Sequence, residues 1–182
     1  MEFKFTSRED LTCSMTPTGA PGPIYEWKTP FKLGRRTTTF TRDGVVCAEV
    51  IWATFKRSTI MLGDMPPTPL ADFLAKWKWY KPCVRRTSAY ADACASSRAF
   101  HMGGMKFTWV DKAFEPLHLK CGDAETGEHV ATLESKALHK PELSVTERGM
   151  QLVHLDVIVV TGVVMLHKRR ERQKAAASGG GG

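Results

Sequence analysis

Two stretches of the sequence combine residue types that could meet phosphate. In the first, Lys76, Lys78, Lys81, Arg85 and Arg86 interleave with Trp77, Trp79 and Tyr80. Cations neutralise phosphate oxygens, while aromatic rings stack on bases or partition into a membrane interface, so the mixture suits a nucleic-acid groove or a lipid surface. In the second, Lys168, Arg169 and Arg170 lead a basic run that reaches Lys174. Cations beside an apolar segment suit anionic headgroups and complement a helix C-terminus. The plainer reading of both is structural: tryptophans in the core with solvated lysines beside them, and a solvated helix end.

Other chemistry finds little support. The sequence has no Gly-x-Ser-x-Gly elbow, no phosphate loop ending in Gly-Lys-Ser or Gly-Lys-Thr, no dinucleotide glycine fingerprint and no His-Glu-x-x-His. Its six histidines lack metal spacing, and its five cysteines contain no Cys-x-x-Cys pair. Glu128, His129, Asp123 and Cys121 surround an expected hairpin turn, where polar residues belong anyway. No catalytic residue, metal or cofactor is therefore expected. An odd cysteine count argues against a disulfide framework, and Glu2, Lys4, Arg8, Glu9 and Asp10 interrupt any secretory signal. The expected location is the cytoplasm, with the nucleus or the inner membrane surface as variants.

Positioning falls to a chain of 182 residues, the size of one domain. Lys and Arg number 26 against 19 Asp and Glu, a formal charge of +7 that favours phosphate-rich surfaces without choosing among them. Strands rich in β-branched and aromatic residues are expected at 3–5, 24–27, 37–41, 45–55, 59–62, 106–110, 117–121, 129–133 and 143–146. Asp43-Gly44 marks a tight hairpin, and Thr126-Gly127 a second turn. The two halves resemble one another: Trp27 and Trp109, Ala48 and Ala131, Ile60 and Leu143 recur at an offset of about 83 residues, as an internal repeat would. Between the halves, Pro66, Pro67 and Pro69 break regular structure. Residues 70–80 suit a helix or a strand equally, and residues 85–97 read as a mobile loop. Residues 152–166 are almost continuously apolar, too short to span a bilayer and interrupted by Asp156, so a helix at about 152–173 buried within the protein is expected. A buried strand competes with it, given Val157, Ile158, Val159, Val160, Val163 and Val164. Residues 1–174 form the expected single domain, and 175–182 a disordered low-complexity tail.

Five blocks carry a resemblance: Tyr25-Glu26-Trp27-Lys28-Thr29-Pro30, Thr37-Thr38-Thr39-Phe40-Thr41-Arg42, Val46-Cys47-Ala48-Glu49-Val50-Ile51-Trp52, Arg98-Ala99-Phe100 with Phe107-Thr108-Trp109, and Leu155-Asp156-Val157-Ile158-Val159-Val160-Thr161. In this order they resemble a fungal, mainly basidiomycete, domain family of unknown function, over nearly the whole chain. The chain departs at Gly162, where that family more often carries a larger residue. Two similar β halves followed by an apolar helix also resemble the tubby C-terminal-like superfamily, with the LURP-one-related proteins and phospholipid scramblases. That resemblance implies a closed antiparallel β barrel around a central hydrophobic helix. It also implies, with the basic charge, a non-catalytic phosphoinositide or anionic-membrane adaptor touching lipid through Lys76, Lys78, Lys81, Arg85, Arg86, Lys168, Arg169 and Arg170. A protein-interaction scaffold is the alternative, an enzyme comes third, and nucleic acid is not an expected partner.

Overall fold

The computed structural model describes residues 1–9, 11–19, 21–22, 24–30, 36–53, 57–76, 96–136 and 139–178. Its strands are β1 (Glu2–Phe5), β2 (Cys13–Pro17), β3 (Tyr25–Lys28), β4 (Arg36–Arg42), β5 (Val45–Trp52), β6 (Thr59–Leu62), β7 (Thr68–Pro69), β8 (Ala75–Lys76), β9 (Arg98–Met102), β10 (Met105–Val110), β11 (Leu117–Cys121), β12 (Glu128–Glu134) and β13 (Glu142–Val145). Three helices accompany them among the described residues: α1 (Leu70–Phe73), α2 (Glu147–Leu152) and α3 (Leu155–Ser178).

All the strands belong to one antiparallel sheet. Each pairs with its neighbour in sequence, except that β1 pairs with β13, so the order runs β7 to β1 and then β13 back to β8. Alternation places one face inward: β1 and β13 bury every second residue, as do β2 and β6. The repeat is visible as register. Trp27 faces Phe40, Phe40 faces Ala48 and Ala48 faces Leu62; likewise Trp109 faces Leu119, Leu119 faces Ala131 and Ala131 faces Val145. Both halves shift register at the same place, between Phe40 and Thr41 and between Leu119 and Lys120. A bulge adds twist and bends its strand, so two equivalent bulges curve the two halves alike. The β4–β5 hairpin turns through Asp43 and Gly44, at φ of 50° and 80°, the left-handed pair a tight turn requires.

The apolar segment is a helix. Residues 157–166 of α3 are all buried, nearly three full turns with no face left to water. Packing overrides the weak helix propensity of its valines. Thr161, the buried polar residue in the middle, donates to Val157 O at 2.6 Å and accepts from the Trp109 indole at 2.9 Å. Gly162 leaves room for that indole: a Cβ there would stand 3.3 Å from the Trp109 ring. A side chain at this position would require the indole to give by a few tenths of an ångström.

Three expectations are corrected. The sheet is not closed into a barrel: among the described residues β7 and β8 are its two ends and do not pair. The physical reason is local. β7 is two residues long and ends in Pro69, which has no N–H to donate, and the chain then turns through α1 into the equally short β8. α1 touches β6 and β7 on one side and β8 and β9 on the other, with Leu70 and Leu74 buried beneath it. The central helix begins at Leu155 and ends at Ser178, because residues 147–152 form the separate α2, capped by the Thr146 hydroxyl on Gly149 N at 2.9 Å. The basic run therefore lies within α3 and not in its last turn, where macrodipole complementarity would act. Residues 70–80 are part helix and part strand as far as Lys76; Trp77, Lys78, Trp79, Tyr80, Lys81, Arg85 and Arg86 lie outside the described residues.

Candidate functional site

Charged side chains cluster at the end of the sheet from which α3 emerges. Arg98 opens β9 opposite Trp109, whose side chain faces the helix, and on its other side it is paired with Lys76 of β8. Directly paired residues share a face, so the exposed Lys76 lies on the same face of the sheet as Arg98. Arg98 meets Lys168 and Arg172, one turn apart on α3. Asp111 follows β10 immediately, and its backbone N–H donates to the buried Ser97 hydroxyl at 3.1 Å, tying the start of β9 to the end of β10.

The Asp111 carboxylate, 5% exposed, is the anchor. Arg169 donates to it through Nε at 2.8 Å and approaches through Nη2 at 2.6 Å; Arg172 binds the other oxygen. Arg169 also donates to the Glu115 carbonyl at 2.8 Å and to the Lys112 carbonyl at 3.3 Å. Its guanidinium is thus committed to the 111–116 connection. Arg170 points elsewhere, to the Arg8 carbonyl and the Ser135 hydroxyl.

Arg98 and Lys168 are placed differently. The Arg98 Nε atom is buried and has no hydrogen-bond partner among the described residues. Burial and the charge of Arg172 push the Arg98 pKa below the ordinary arginine value, against the pull of Asp111. Burial and Arg98 depress that of Lys168, with Glu171 opposing and Arg172 adding to the depression. Four cations, Arg98, Lys168, Arg169 and Arg172, gather around two carboxylates, Asp111 and Glu171. Partly desolvated like charges with an unfilled donor form an environment that an anion would relieve.

Across residues 9–171 the chain matches the model of DUF6593, a family of unknown function. The chain belongs to this family. No curated protein and no solved structure matches this DUF6593 chain.

In sequence Lys76 and Lys168 stand in two separate clusters; in this DUF6593 fold Lys76 is paired with Arg98, and it is Arg98 that lies near Lys168. Arg98 and Asp111 escaped sequence reasoning as site residues, and Arg172 reads there only as part of the basic run that reaches Lys174. Asp111 had a signal, a lone carboxylate directly after the apolar stretch Phe107-Thr108-Trp109-Val110. Elsewhere, Cys13, Cys47 and Cys121 are free thiols, and Cys83 and Cys94 lie outside the described residues. Burial and the nearby Asp156 raise the Cys47 thiol to about 11. Among the described residues no group of three or more His, Cys, Asp or Glu side chains could hold a metal, and no helix is long and apolar enough to cross a membrane. A hollow of about 140 Å³ among Glu134, Lys136, His139, Lys140 and Glu142 is smaller than the usual small-molecule site.

Proposed function

We propose that this chain is a non-catalytic module that docks on anionic, phosphate-bearing membrane surfaces through the end of the sheet where α3 emerges. The observation that carries this reading is the buried, unpartnered Nε of Arg98 beside Lys168 and Arg172. Guanidinium donors match phosphate oxygens in geometry as well as charge. The tubby C-terminal-like comparison belongs to the same reading. It is supported by the strand order, which follows the chain around the sheet, by α1 lying against both end strands, and by a helix buried on every side. Docking of this kind fits a peripheral position at an inner membrane surface.

Sedimentation with phosphoinositide-containing and neutral vesicles, at low and physiological salt, tests the proposal. Binding should need the anionic lipid and fall with salt. Since a cation near such a surface contributes about 1 kcal/mol, Arg98→Gln with Lys168→Gln should weaken binding roughly thirtyfold while leaving the fold intact. Arg169 is a poor choice for this test, because its loss would release the 111–116 connection. Equal, negligible binding in every arm would refute the reading and favour a protein-interaction scaffold. That second reading has its own observation: Val45 and Val46 are 71% and 55% exposed beside the Asp43-Gly44 turn.

A further inference from the structure

Residues 111–116 connect β10 to β11 and carry one feature that anion binding does not use. Phe114 is fully exposed, at a relative accessibility of 108%, with φ of +64°. A bulky side chain seldom adopts left-handed backbone, and a mobile connection would relax out of it. This connection is held on both sides of the phenylalanine. Arg169 grips the Asp111 carboxylate and the Lys112 carbonyl before it and the Glu115 carbonyl after it. Lys112 and Glu115 close the turn with an ion pair at 3.5 Å, and the Glu115 N–H reaches the Lys112 carbonyl at 3.4 Å. The same guanidinium that helps neutralise Asp111 therefore fixes an aromatic ring in water, next to the cation cluster.

We infer that Phe114 is a membrane-inserting anchor: when Arg98, Lys168 and Arg172 meet anionic headgroups, its ring enters the bilayer interface. The inference rests on the anionic-membrane reading and adds an apolar contact to it. The combination of nearby cations with a single presented aromatic ring matches an anionic lipid surface, where charge attracts and the ring partitions. One isolated ring offers little area for a stable protein interface.

The test uses the full chain with phosphatidylcholine vesicles, with and without 30% phosphatidylserine, and lipid monolayers of the same compositions. Wild type should bind the anionic vesicles and raise the surface pressure of the anionic monolayer. Phe114→Ala should bind roughly tenfold more weakly with an unchanged salt dependence and lose the pressure rise. Phe114→Trp should retain both. Phe114→Gly, which tolerates the left-handed backbone, should behave as the alanine variant and melt no lower than wild type. A Phe114→Ala variant that binds and inserts like wild type would overturn the inference, leave the membrane reading standing and assign the ring to a protein partner. Wild-type binding without a pressure rise would also overturn the inference alone. Wild type that ignores anionic vesicles would remove the membrane reading and this inference together.

Discussion

At the start of α3 the Asp156 carboxylate receives the Tyr25 hydroxyl, Arg42 Nη1 at 3.2 Å and an approach from His154 Nδ1 at 3.3 Å. Where α3 leaves the sheet, the Asp111 carboxylate receives Arg169 and Arg172, with Arg98 and Lys168 crowded nearby. Both ends tie the helix to the sheet through one acid, but the surroundings differ in kind. Asp156 sits in the first turn, where the helix dipole favours a negative charge, and its Arg42 partner is 40% exposed, so water shares the load. Asp111 is buried among more cations than it can neutralise. The first arrangement looks after stability; the second keeps positive charge in excess where stability alone would remove it.

Several substitutions would break or sharpen this contrast. The largest effect belongs between the ends: Ile158→Asp puts an unpaired carboxylate on a wholly buried turn, at a cost of several kcal/mol that rivals a domain's entire stability. Soluble, cooperatively melting Ile158→Asp protein would remove the buried-helix description on which both ends depend. Next comes Asp111→Asn, which leaves Arg169 and Arg172 beside uncompensated charge and should cost about 3–5 kcal/mol in chemical denaturation. Asp156→Asn keeps an acceptor for Tyr25 and should cost about 1–2 kcal/mol. If the two variants lose equal stability, the ends do not differ in the way described.

The contrast should also appear in alkaline solution. The Tyr25 pKa is raised by burial and then by its hydrogen bond to Asp156, so its contribution is complete below the unfolded value near 10 and is lost as pH rises beyond it. Cys47 adds a loss between about pH 9 and about 11. Lys168 has the opposite sign: its pKa is lowered, its cost is felt at neutral pH, and deprotonation near its unfolded value of 10.5 relieves it. Denaturation curves between pH 8 and 11 should therefore be flatter for Tyr25→Phe and steeper for Lys168→Met than for wild type. Identical slopes would contradict both assignments. The smallest expected change is thermal. Arg98→Met should leave the melting temperature unchanged or raise it by about 2–4 °C, equivalent to about 1 kcal/mol, whereas Arg42→Met should lower it by a similar amount.

The features visible in sequence are those that depend on local pattern. Strands β6 and β11 fall on their expected residues, and the offset joining Trp27 to Trp109 reappears as matched rows across the sheet. β2 was missed because Ser14, Thr16 and Pro17 dilute its alternating Cys13 and Met15. β7 was missed because a two-residue strand carries no period at all, and β8 falls within residues 70–80, where helix and strand stood equally open. The charged end was legible only as fragments. Asp111 and Arg169 stand 58 residues apart, and nothing near either residue in sequence announces the other. Arg98 lies outside the strands expected from sequence, and its place at this end emerges only when β8 and α3 are laid beside β9.

The pairing of β1 with β13 has a consequence for how the chain is made. Glu2 lies opposite Ser144, and residues 157–166, which are buried within the sheet, follow every described strand. On a ribosome the hairpins of the first half can form as they emerge, but the surface they turn inward has nothing to enclose until α3 is released. Trp27, Phe40 and their neighbours spend most of synthesis facing water, in a state open to off-pathway association. Burial of that inward face thus waits on the helix that follows the strands, and the interval before it arrives is when a nascent-chain chaperone would have most to protect.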